Sequence, residues 1–184
     1  MNIKKLNAAA GLILIVLLIV HISYEVWSYL AFYYNPVVTR LIAWSFAGVT
    51  SIHIIMSAIS VAGKHDGSTL STYPRMNLGT ILQRGSALGI LVLLPAHVKT
   101  GDWIAQHAVG NTGFILLVIL EILFWVMIGI HVTMSLSKAL ISLGLLENMK
   151  TKRIIDIITG IICASGITVS AYIIIMTQLV LLNM

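Results

Sequence analysis

Residues 112–140, TGFILLVILEILFWVMIGIHVTMSLSKAL, are apolar for most of their length yet hold Glu121 and His131. A helix closes its own backbone hydrogen bonds, and about 20 predominantly apolar residues are enough for it to cross the hydrocarbon of a bilayer. This segment exceeds that length. Ionisable side chains inside such a segment are expensive and by default mark function. Four more segments share its character, and the predicted spans are 8–31, 37–62, 78–98, 112–140 and 154–182.

The whole composition agrees: 59% of the 184 residues are hydrophobic and 9% are charged, with a mean hydropathy of +1.01. These values define an integral membrane chain. The expected fold is all-α, a five-helix transmembrane bundle forming one domain over 1–184, with no room for a separate soluble domain. Soluble chemistry therefore falls to other chains. The lone Cys163 excludes both a disulfide framework and a Cys-ligated iron–sulfur or zinc site. The first apolar stretch outruns a secretory h-region and no small-residue cleavage site follows it, so it is expected to stay in the mature protein. Asn35-Pro36 predicts a tight connection, and 64–77 (with Tyr73-Pro74), 99–111 and 147–153 predict polar ones.

Basic residues divide unevenly between the two sides. Lys4, Lys5, Lys64, Arg75, Arg84, Lys138, Lys150, Lys152 and Arg153 share one side, with Arg40 and Lys99 opposite. The positive-inside rule then places the amino terminus in the cytoplasm and the carboxyl terminus outside, in a multi-pass arrangement suited to a bacterial-type cytoplasmic membrane. The same bias explains the net charge of +5 without nucleic acid as a partner.

His21, His53, His97 and His131 each fall in a different one of the first four spans. Depth, counted at about 1.5 Å per residue, puts His21 and His97 in the outer half and His53 and His131 in the inner half, roughly 15 Å apart. Neutral imidazole is a ready axial ligand for buried iron, so two same-depth pairs suit two stacked bis-histidine haems b. The competing reading makes each histidine interhelical glue or part of a polar path; one histidine per helix, matched by depth, favours haem. Gly129, Ser57 and Ser135 lie within about a turn of His53 or His131 and would admit a macrocycle, while Gly85 and Gly89 have small-xxx-small spacing. His65 and His107 read as solvated loop residues.

The run Leu82-Gln83-Arg84-Gly85-Ser86, followed by an apolar stretch to His97-Val98, resembles the third helix of the five-helix, two-haem cytochrome b anchor of succinate:quinone oxidoreductases and quinol:fumarate reductases. His53 followed by Ile59, Ala62, Tyr73 and Arg75 is similar to the second helix and its loop. His131 followed by Gly144 and Arg153 is similar to the fourth, and His21 occupies the first-helix ligand position. The first helix here begins Lys5-Leu6-Asn7-Ala8-Ala9-Ala10-Gly11, where the family often carries a basic residue followed by His or Ser before a Gly. The resemblance implies ligand pairs His21 with His97 and His53 with His131. It also implies menaquinone as the quinone, and flavoprotein (FAD) and iron–sulfur subunits on the cytoplasmic side that interconvert succinate and fumarate. This chain would carry electrons between those partners and quinone, as the quinone-reactive part of an oxidoreductase.

Further roles follow from position. Arg84, with Gln83 and Ser86, is a candidate contact to the inner haem, the guanidinium pairing with propionates. Glu25 and Glu121 are candidates for quinone-linked proton transfer, being carboxylates near the outer haem, and Lys99, Asp102 and Trp103 are candidates to line that quinone pocket. Lys64, Arg75, Lys150 and Arg153 are candidates to dock the iron–sulfur subunit. No Gly-rich dinucleotide fingerprint, P-loop or nucleophile triad is present. Alternative readings are the dihaem anchor of another quinone-linked dehydrogenase or a hydrogenase, and a non-haem transporter or assembly subunit. A higher oligomer is compatible with the sequence.

Overall fold

The computed structural model describes residues 3–31, 33, 35–62, 74–105 and 112–182. They form five helices: α1 (Ile3–Ala31), α2 (Pro36–Ala62), α3 (Pro74–Ala105), α4 (Thr112–Leu143) and α5 (Met149–Leu182). Among the described residues all the regular structure is helical, and each helix is long and apolar enough to cross a membrane. Many apolar side chains lie uncovered, including Trp44 at 74% and Val92 at 69% exposure. Faces of that kind fit a lipid solvent, since soluble chains rarely expose large apolar patches.

The helix ends follow local chemistry. Asn35 caps α2: its Oδ1 accepts from the backbone N–H of Val37 at 3.0 Å and of Val38 at 3.3 Å, and Pro36 occupies the first helical position, where its missing N–H is harmless. The Tyr24 hydroxyl donates to the Asn35 carbonyl at 3.3 Å, tying the connection back to α1. Replacing Asn35 with Ala should lower stability by about 1 kcal/mol, read as a reduced unfolding free energy in detergent with the helical content of the folded state unchanged.

At the other end, α4 stops in a Schellman motif. Gly144 takes φ 77°, its N–H bonds to Ile141 O at 3.0 Å, and the Leu145 N–H bonds to Leu140 O at 2.9 Å. Asn148 then caps α5 through Oδ1 to the Lys150 N–H at 2.8 Å. The polar stretch 147–153, expected to be a connection, is thus helical from Met149 onward. Lysine and arginine sustain a helix once a cap has started it. Helix α3 likewise runs past the predicted span at both ends and continues through Pro95, which supplies no N–H to the carbonyl one turn back.

The chain forms two compact units, Met1–Pro74 with Ser135–Asp156, and Arg75–Met134 with Ile157–Met184. In the first, α1 packs against α2. There Lys152 pairs with Asp156 at 2.5 Å, and Asp156 also accepts from Ser137, which is 2% exposed. In the second, α3 and α4 run antiparallel in close register. A methyl added at Gly89 would meet Met127 Sδ at 2.9 Å, and one at Gly79 would meet Met134 Sδ at 3.9 Å. Gly89 is therefore a packing residue, whereas a methyl at Gly85 would meet no atom within 4 Å. Gly129 faces α5, where its added methyl would lie 3.0 Å from Ile167 Cδ1 and 3.5 Å from Cys163 Cβ. Its small size serves the α4–α5 contact.

Candidate functional site

In the first unit His53 of α2 reaches α1. Its Nδ1 lies 3.3 Å from the Asn7 carbonyl oxygen, and a methyl on Gly11 would come within 3.5 Å of its Cε1. Asn7 also engages the same helix through its side chain, whose Oδ1 accepts from the Ser57 hydroxyl at 3.2 Å. Ser57 therefore fastens α1 to α2. His21 lies on α1, ten residues beyond Gly11 and so about 15 Å further along the helix at 1.5 Å per residue. Its Nδ1 is 3.9 Å from Glu25 Oε1, and its ring is 6.4 Å from that of Phe46.

The second unit repeats this spacing. His131 of α4 places Nδ1 3.0 Å from the Gln83 carbonyl oxygen of α3, an oxygen that also accepts from the Ser86 hydroxyl at 3.1 Å. His97 of α3 places Nδ1 2.8 Å from Glu121 Oε1 and 3.1 Å from Oε2 on α4. Glu121 precedes His131 by ten residues, so the two levels again stand about 15 Å apart along the helix. Phe124 stacks on the His97 ring at a centroid distance of 4.6 Å and 21°, and Trp125 meets it edge-on at 6.3 Å.

A carbonyl oxygen can only accept, so Nδ1 carries the proton in His53 and His131, and the lone pair sits on Nε2. A carboxylate enforces the same tautomer in His97. Histidines that ligate metals almost always donate their other ring N–H to a carboxylate or carbonyl, which fixes tautomer and ring orientation. The donor set thus has the chemistry that an axial ligand to iron needs. Among the described residues there is no cluster of three or more His, Cys, Asp or Glu suited to a bare metal ion.

The other predicted residues fall as follows. Gln83 acts here through its main-chain carbonyl, and Ser86 is buried at 3% exposure. Arg84 and Lys99 are exposed and Glu25 is half-buried. Lys64, His65, Tyr73 and His107 lie outside the described residues, as do the side chains of Arg75, Asp102 and Trp103. Asn7 and Phe124 were not anticipated. Asn7 acts on His53 through a main-chain oxygen, which any residue type supplies, and Phe124 looks like any aromatic in an apolar helix. The Lys-Leu-Asn start of α1 was the only available signal for Asn7.

No protein-family model matches the chain, and comparison with curated proteins and with solved structures gave no match.

Proposed function

We propose that this chain is a dihaem cytochrome b that anchors a succinate dehydrogenase or fumarate reductase to the membrane. The observation that carries the reading is a repeat: each of two helix pairs presents imidazoles at two levels about 15 Å apart, with Nδ1 of His53, His97 and His131 turned to an oxygen acceptor. The depth count pairs His21 with His97 and His53 with His131 as axial ligands. When bound, haem b supplies one-electron transfer between the iron–sulfur partner and a membrane quinone, for which menaquinone is the preferred candidate.

The protein's own residues do the rest. Backbone and carboxylate acceptors hold the rings of His53, His97 and His131 in one tautomer. The exposed guanidinium of Arg84 is available to a haem propionate. Glu25, half-buried one turn from His21, is the candidate to exchange a proton with quinone at the outer face. On the cytoplasmic side Lys150 and Arg153, exposed at the start of α5, are the candidates to dock the iron–sulfur subunit.

The assembled complex should show a b-type absorption that menaquinol reduces, and a cross-linker placed at Lys150 should capture the iron–sulfur subunit. Labelling of Lys150 from outside intact cells would contradict both the orientation and the docking surface. A second reading has its own support. The interhelical His97–Glu121 bond resembles the polar glue of membrane bundles, which suits a non-haem transporter or assembly subunit, and a complex with no b-type absorption would favour it.

A further inference from the structure

The histidines differ in what holds them. His53 and His131 meet neutral main-chain oxygens at 3.3 and 3.0 Å, whereas His97 meets both oxygens of a carboxylate at 2.8 and 3.1 Å. Glu121 is 5% exposed and sits in a span of high hydropathy, where a carboxylate is tolerated only when strongly paired. Charge-assisted hydrogen bonds are roughly twice as strong as neutral ones. Glu121, Phe124 and Trp125 stand at i, i+3 and i+4 on α4 and so share one face. Together they grip the ring of His97: the carboxylate at Nδ1, Phe124 on its face and Trp125 at its edge.

We propose that Glu121 is the positioning residue of His97: its buried carboxylate accepts the Nδ1 proton through both oxygens, fixes Nε2 as the ligating nitrogen, and makes this ring a stronger electron donor than His53 or His131. The inference rests on the haem reading above. A ring that shares its proton with a carboxylate is more basic, and a more basic axial ligand favours ferric over ferrous iron. Glu121 thus acts on electron transfer through His97. The proton-relay role expected from the sequence differs in one measurable way, because a relay affects quinone turnover and leaves the iron's preference for its oxidised state untouched.

The test uses the full complex carrying Glu121→Gln or Glu121→Asp, with redox titration of the b-type absorption and low-spin EPR. Glu121→Gln should retain two haems and lose about tenfold of the ferric preference at one of them, a rise of about 59 mV for a one-electron couple. The EPR signal of that same haem should move, the other haem should keep both values, and Glu121→Asp should fall between. Potentials and EPR signals at wild-type values overturn the proposal, including the case in which quinone turnover slows. If both variants lose haem, histidine ¹⁵N spectra of the haem-free full-length chain decide: a displaced His97 signal supports the pairing, and an unchanged one overturns it. A wild-type complex that holds no haem overturns the parent reading instead.

Discussion

In the proposed dihaem cytochrome, replacing His21 or His97 with Leu should abolish one and the same spectral component, and replacing His53 or His131 should abolish the other. Bis-imidazole ligation fails when either axial ligand is lost, so the expected effect is all or none for each haem, with the second haem kept. The assignment into pairs follows from depth, and each helix pair keeps the same interval of about 15 Å between its two levels. Leucine is chosen because it is apolar, of similar bulk and a good helix former, which leaves the spans intact. Reduced-minus-oxidised spectra of the four single variants, normalised to protein, make the measurement. Loss grouped by helix pair, with His21 and His53 removing one component and His97 and His131 the other, would contradict the pairing.

The second large effect concerns Gly89. A methyl added here would meet Met127 Sδ at 2.9 Å, at a point between two other links of the α3–α4 seam, the Gln83–His131 bond and the His97–Glu121 bond. A side chain at Gly89 has to displace Met127 or push the helices apart, and overpacking of this kind typically costs about 1–3 kcal/mol. Gly89→Leu should therefore disturb both ring supports at once. The expected result is reduced occupancy of both haems in one variant, with far-ultraviolet circular dichroism still showing a helical protein. Gly85→Leu is the matched control: a methyl at Gly85 would meet no atom within 4 Å, so packing alone predicts a much smaller effect there. Equal losses in the two variants would show that the seam does not work as described.

The spans were legible because hydrocarbon thickness imposes a length that no other feature of the chain mimics. Predicted 37–62 became Pro36–Ala62 and predicted 112–140 became Thr112–Leu143. Charge over 147–153 predicts a loop, whereas the glycine turn at Gly144 and the Asn148 cap set the start of α5 at Met149. The histidines stood out as costly groups in apolar helices. Their supports were harder to see. The Asn7 and Gln83 carbonyls leave no side-chain signature. Glu121 was visible as a buried acid near the outer level, but its bond to His97 depends on the α3–α4 register, which spacing along one helix cannot give. Gly129 and Ser57, read as making room for a macrocycle, are occupied with α5 and with Asn7.

Haem content tests the central claim most directly. A pyridine haemochrome assay on the purified chain, expressed with ample haem supply and referenced to protein by amino-acid analysis, should give two haems b per chain. A chain that remains folded and helical but contains no haem would contradict the account and leave the histidines as interhelical hydrogen-bonding residues.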